Sequence, residues 1–119
     1  MSALVPLSGT PEPPSSVRLT TTSRTTVYTN GSPTTSNKYT VVNSVAIANE
    51  GATAKKVSIE FSQDGVTFFL LHRTSIAADG SLASDIPGLP LFLKPGGVLT
   101  ATAETANFLT VTTSSYFLG

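Results

Sequence analysis

Cysteine is absent from the 119 residues, so neither a disulfide framework nor a thiolate metal site is available. That absence fits folding in a reducing cytoplasm. Tryptophan is also missing, and His72 is the only histidine. Zinc therefore finds no cysteine ligand and too few histidines. No Asp-x-Asp-x-Asp-Gly run is present to hold calcium. Charge is scarce: 12% of residues carry it, seven basic against seven acidic, for a net charge of zero. A nucleic-acid partner calls for a basic stripe that neutralises phosphates, and none is visible. The one adjacent basic pair, Lys55 and Lys56, would point to opposite faces of a strand. No apolar run approaches the roughly 18 residues that span a bilayer. Met1 to Ser8 has neither basic residues nor a long apolar stretch, so no signal peptide is expected.

Catalytic chemistry is equally thin. His72 follows Phe68-Phe69-Leu70-Leu71 on an expected strand and reads as a structural residue. No Gly-x-Ser-x-Gly elbow accompanies the many serines. Among the acids, Asp64 and Asp79 each precede a glycine and are turn residues first, and Glu60 falls on the solvent side of its strand. Glu12, Glu50, Asp85 and Glu104 show no spacing that suggests a carboxylate pair. Gly96-Gly97 leads into a strand rather than a helix, so it lacks the anion-binding dipole of a phosphate loop. The expectation is a protein that is not an enzyme and uses no cofactor and no metal.

What the chain has in quantity is hydroxyl: 19 threonines and 15 serines. Threonine is β-branched and suits pleated, half-buried surfaces. A neutral surface with few charges does little to repel a neighbour, which suits a crowded assembly. A secreted β domain would carry the same surface. The length fits one domain with one core.

Residues 1–16 differ from the rest. Pro6, Pro11, Pro13 and Pro14 sit among Ser, Gly and Thr, and read as an extended arm. Fully stretched, the arm would reach about 50 Å. Alone it has too few apolar groups to offset the entropy of ordering it. The domain proper is expected over 17–119. Val17 to Thr22 and Arg24 to Thr29 read as two strands, or one kinked at Ser23. Asn30-Gly31-Ser32-Pro33 is a turn cluster. Tyr39 to Asn49 follows, with Val41, Val45 and Ile47 on one face. Lys55 to Ser62 alternates Val57, Ile59 and Phe61 against Ser58, Glu60 and Ser62, the period of a strand with one buried face. Asp64-Gly65 offers the positive-φ pair of a tight hairpin. Val66 to Arg73 returns with four apolar residues in a row, so it either lies centrally in a sheet or meets a partner on its outer face. Turns at Asp79-Gly80, Pro87 to Pro90 and Lys94 to Gly97 separate Ser81 to Ile86, Leu91 to Leu93 and Val98 to Glu104. Phe108 to Thr113 and an apolar Tyr116-Phe117-Leu118 end the chain. The fold class is therefore all-β: an antiparallel β-sandwich, Ig-like or jelly-roll-like, of about seven to nine short strands, with a barrel as the other arrangement.

Phe61-Ser62-Gln63-Asp64-Gly65-Val66-Thr67-Phe68 resembles a strand-turn-strand motif of small virion proteins of tailed bacteriophages. Leu91 to Ala103, with Lys94-Pro95-Gly96-Gly97 at its centre, is similar to a second motif of the same proteins, although an acidic residue is more usual at Gly97. Leu19 to Thr22 with Thr26 to Thr29 resembles their first strand pair. The resemblance covers residues 19–113. It implies a β-sandwich subunit in the phage particle: a capsid decoration or cement protein, or a neck or tail accessory, present in many copies as a homo-oligomer. Its partners would be major capsid or neck and tail subunits and copies of itself. It would belong to the virion, after assembly in the bacterial cytoplasm. No catalytic residue is carried over.

Subunit contacts are expected from the arm, at Leu4, Val5, Pro6 and Leu7, from Phe69, and from Tyr116, Phe117 and Leu118. An alternative reading is a carbohydrate- or host-receptor-binding module of a tail or fibre, with Tyr28, Tyr39 or Phe69 stacking on a host glycan. The assembly reading expects deletion of residues 1–16 to weaken incorporation into particles and leave the fold intact.

Overall fold

The computed structural model describes residues 10–11, 15–30, 39–83, 86 and 88–117, with backbone only at 10, 11, 81–83 and 117. Ten strands are present: β1 (Thr10–Pro11), β2 (Ser15–Arg18), β3 (Thr25–Thr29), β4 (Thr40–Asn49), β5 (Lys55–Gln63), β6 (Val66–Ile76), β7 (Ser81–Ala83), β8 (Leu91–Leu93), β9 (Val98–Ala103) and β10 (Leu109–Phe117). They form two antiparallel sheets and no helix among the described residues. In the first sheet β10 and β4 lie side by side; β1 and β2 line the far edge of β10 end to end, and β7 and β8 line the far edge of β4. The second sheet runs β3-β9-β5-β6. Counting each broken edge strand as one gives eight positions, four per sheet. Their order is 1-8-3-6 in one sheet and 2-7-4-5 in the other, which is the double Greek key of a jelly roll. The sandwich expectation holds, and of its two forms the connectivity is the jelly roll.

Alternation builds the core. Val57 and Ile59 of β5, Leu99, Ala101 and Ala103 of β9, Val45 and Ile47 of β4, and Leu109 and Val111 of β10 are all buried between the sheets. Each large side chain so enclosed contributes about 1.5–3 kcal/mol by leaving water. Irregular pairing resets the alternation twice. Between Ser114 and Ser115 the register of β10 on β4 shifts, so Val42, not Val41, joins the core with Val45 and Ile47. Val41 is buried on the outer face instead, paired with Tyr116 and Phe92. On β6 the register shifts around Leu70 to Arg73, and Arg73 takes a φ of 48°. Such bulges bend and re-aim a strand.

The domain starts earlier than Val17. Ser15 and Ser16 belong to β2, and Ser16 hydrogen-bonds the Thr112 hydroxyl across the ladder at 3.0 Å. Thr10 and Pro11 pair with Phe117 and Tyr116. Residues 19–24 are not strand; they cross from the first sheet to the second, with Leu19 fully buried. A deletion that spares the fold must therefore stop at residue 9.

Two buried asparagines close the ends of the sandwich. At one end the Asn49 side-chain amide donates to the Thr53, Ile76 and Ala77 carbonyls at 3.0–3.2 Å and its oxygen accepts from Gly51 N–H at 2.8 Å. At the other, Asn30 donates from its amide to the Leu93 carbonyl at 2.9 Å and exchanges backbone hydrogen bonds with Gly96 and Gly97. Among the described residues one buried side-chain polar atom lacks a partner, the Thr113 hydroxyl, opposite Val45. Thr113→Val should stabilise the domain by roughly 1 kcal/mol, since it removes an unpaid desolvation cost at constant shape. Asn49→Ala should destabilise it by about 2–3 kcal/mol, because three carbonyls and an N–H lose their partner together. Urea denaturation of both variants measures the two effects.

Candidate functional site

Local sequence sets the hairpin between β5 and β6. Asp64 and Gly65 both take positive φ, 53° and 75°, the requirement of the two-residue turn whose twist matches its strands. The tip is anchored to the first sheet: Lys94 Nζ reaches Asp64 at 2.6 Å, and Lys94 N–H donates to the Gln63 side chain at 3.1 Å. The hydrogen bond to Asp64, and then its charge, raise the Lys94 pKa above the ordinary lysine value.

β6 is the outer strand of its sheet and pairs with β5 alone among the described residues. Of the two readings of its four apolar residues, a central position is ruled out. Near the turn it shows apolar side chains on both faces. Val66 and Phe68 are on the inner face, 48% and 49% exposed, with Phe68 stacked on half-buried Phe61 at 5.1 Å. Phe69 is on the outer face, 54% exposed. His72 is exposed as well, its ring edge-on to Phe69 at 4.5 Å. Farther along, Leu70 is half-buried beneath Gly88, where a Cβ would sit 2.8 Å from the leucine methyl and φ is 89°. The positive φ is what favours glycine there, since the leucine methyl could shift aside.

The other exposed large apolar side chains among the described residues, Phe92 and Tyr39, lie at the same end of the sandwich. Leu91 and Leu93 turn inward, so the alternation of β8 sends Phe92 outward beside Val41 and Tyr116. Tyr39 precedes Thr40, which pairs with Leu93. The opposite end is polar by contrast. There Arg18 bridges Glu50 at 3.0 Å and donates to the Asn107 carbonyl at 2.6 Å, and Lys55 Nζ covers the Phe108 ring at 4.4 Å.

Of the expected contact residues, Phe69 is at this apolar end, and Tyr116 is half-buried on the outer face of the first sheet. Leu4, Val5, Pro6, Leu7 and Leu118 lie outside the described residues, as does the Phe117 side chain. The backbone shows where they join: Thr10 pairs with Phe117, and Phe117 with Thr40, at the apolar end. Tyr28 is not available for stacking on a ligand, because it packs on the core and donates to the Thr40 hydroxyl at 3.1 Å. The exposed residues that sequence reasoning passed over are Val66, Phe68 and Phe92. For Phe92 the signal was present, since a strand that buries Leu91 and Leu93 must show the residue between.

Glu60 corrects another expectation. It does point to the outer face, in a row with Phe69 and Thr100, but it is buried there. Arg24 Nη2 pairs with it at 3.0 Å from an exposed position. On the same sheet Arg73 donates from Nε to Glu104 at 2.7 Å. That hydrogen bond holds the Glu104 carboxyl below the usual range. The pair's small contribution to stability is thus present at neutral pH and fades as acid protonates Glu104. No group of three His, Cys, Asp or Glu able to hold a metal occurs among the described residues.

No protein-family model and no curated protein sequence matches the chain. Among solved structures it is similar to the Drosophila NLP core, described for pentamer formation and histone binding. That match has 11% identity and a TM-score of 0.50 over 87% of this chain and 94% of that one. It is similar also to the virus-like particle of the extra small virus of the giant freshwater prawn Macrobrachium rosenbergii. Here identity is 15% and the TM-score 0.41, over 92% of this chain and 79% of that one. At 11% identity the likeness to the NLP core is one of fold alone.

Removing the Arg24 cation should expose the cost of the buried carboxylate. Arg24→Ala is expected to destabilise the domain by about 1–3 kcal/mol, and adding Glu60→Gln should recover most of that loss. A double-mutant cycle in urea measures it.

Proposed function

We propose that this chain is a multi-copy structural subunit that works by contact, assembling through the apolar end of its jelly roll, and that its setting is a virus particle. The observation that carries this reading is the gathering of half-exposed Val66, Phe68, Phe69 and Phe92 at one end of a neutral domain. Exposed apolar groups clustered at one place on a small protein mark an interaction surface. The proposal extends to an accessory role in a tailed phage, as capsid decoration or cement or as a neck or tail protein. Its motif resemblance supports that, and so does the absence of a reactive constellation in the sequence. On this reading it is not an enzyme, its partners are capsid, neck or tail subunits and its own copies, and it resides in the virion.

Of the two properties named for the Drosophila NLP core, self-assembly is the one these residues support. Histone binding needs a counter-charge for a basic partner, and seven acids spread along the chain against seven bases supply none. The glycan-binding alternative is weakened by the engagement of Tyr28 and by the division of Tyr39 and Phe69 between different sheets.

Light scattering on the purified chain should find an oligomer. The double variant Phe69→Ser/Phe92→Ser should lower its stability as an assembly at least tenfold in concentration, while thermal unfolding of the domain shifts little, as expected for exposed positions. In particles, the same variant should be incorporated at reduced copy number. A chain that stays monomeric at all concentrations and enters particles normally when so altered would overturn the reading. Saturable binding on a glycan array, lost on Tyr39→Ala, would favour the alternative instead.

A further inference from the structure

Among the described residues the outer edge of β6 has no strand paired to it, and the turn fixes which of its backbone groups point outward. Gln63 and Val66 close a two-residue hairpin, and Phe61 faces Phe68 two positions on. Those are the hydrogen-bonded pairs, so the intervening pairs, Ser62 with Thr67 and Glu60 with Phe69, direct the N–H and C=O of Thr67 and Phe69 away from β5. The edge is long and apolar on both faces, the condition under which strands recruit another strand. We propose that its occupant is the segment Ala3 to Ser8 of a second copy, added as an antiparallel strand with Val5 opposite Phe69 and Leu7 opposite Thr67. The inference rests on the assembly reading above and names the partner that the apolar end takes.

Three features of the segment match the edge. It too is apolar in consecutive positions, Leu4-Val5-Pro6-Leu7, so it supplies side chains to both faces. In that register Val5 and Leu7 would lie beside Phe69 and Thr67, and Pro6 beside Phe68, all within the regular stretch of β6 that ends before Leu70. Its proline fits only one phase. With Val5 and Leu7 turned toward β6, Pro6 faces outward, where a missing N–H costs nothing, as in edge strands generally. The third feature is reach. Thr10 is held on Phe117 in the first sheet, three strand spacings from β8 across β10 and β4, or about 14 Å. The hairpin tip lies beyond β8, in the other sheet. Two residues span at most about 7 Å, so Ser8 opposite Val66 and Thr10 on Phe117 cannot belong to one molecule. The donor is therefore a neighbour, whose arm leaves its own apolar end and enters this one. Each subunit gives one arm and receives one, the arrangement that closes a ring or a reciprocal dimer.

The chain has no cysteine, which makes the test direct. Leu7→Cys with Thr67→Cys puts thiols on directly opposed residues, within the separation a disulfide spans. Mild oxidation should give covalent dimers and larger species on a non-reducing gel. A control pair, Leu7→Cys with Thr26→Cys on the opposite edge of the same sheet, should link at least tenfold more slowly. Thr67→Pro removes an outward N–H without touching the β5 ladder, and deletion of residues 2–8 removes the donor. Both should weaken self-association at least tenfold by light scattering with the circular dichroism spectrum unchanged. If the unaltered chain assembles but both variants assemble equally well, or the two cysteine pairs link at the same rate or only within one chain, the arm assignment is overturned and the assembly reading stands. If the unaltered chain never assembles, both fall.

Discussion

Everything in this domain depends on burying one face of each sheet against the other, because no covalent cross-link is available to hold it. The chain has no cysteine to form a disulfide, and no group of three metal-ligating side chains occurs among the described residues. The seam of Ile47, Ile59, Leu93, Leu99, Leu109 and Val111 must therefore offset the conformational entropy of the whole fold. The polar devices are placed where that seam ends. Asn30 and Asn49 sit at opposite ends of the sandwich and satisfy backbone groups that the ladders leave over. Thr40 inside the first sheet accepts the Tyr28 hydroxyl from the second. A hydrophobic seam with fully used polar ends specifies one arrangement of the sheets.

A sandwich of open sheets has edges, and this one treats its edges unequally. The first sheet divides each edge between two short strands, β1 with β2 and β7 with β8. Short pieces offer little template for pairing. The second sheet ends on β6, eleven residues long. Its far half is bulged at Arg73 and carries a charged network with Glu104, which blunts it. Its near half is regular and apolar. The division falls between the polar and apolar ends of the molecule, so the part of the edge left open is the part beside the other exposed aromatic side chains. On the proposed reading, that coincidence is what would turn an edge from a liability into an interface.

The same asymmetry bears on the arm. The chain enters the sandwich at Thr10 and leaves it at Phe117, paired strands at the apolar end. Residues expected to make contacts from sequence, in the arm and in the last stretch of chain, thus join the body at the same end of the sandwich as Phe69 and Phe92, though on the other sheet from Phe69. One end of the domain collects the apolar groups that its own core does not use.

Strands and turns were legible in the sequence because their causes are local. Val57, Ile59 and Phe61 alternate with polar residues whatever lies beyond them, and Asp64-Gly65 demands its turn from backbone sterics alone. The choice between an Ig-like sandwich and a jelly roll was not legible, since both use the same strands and differ only in which distant pairs form. For the same reason alternation misassigned Val41: the irregularity that turns Val42 inward arises where β10 shifts register on β4, some 70 residues away in the chain. Glu60 looks solvent-facing by its period, and is buried because Phe69 and Thr100 are brought alongside it by pairing. The sequence by itself determined a β protein without a reactive centre in view and an apolar run after the Asp64 turn. Only the tertiary structure decided that this run lies at an edge, because a strand's place in a sheet depends on every other strand's pairing and on nothing in its own residues.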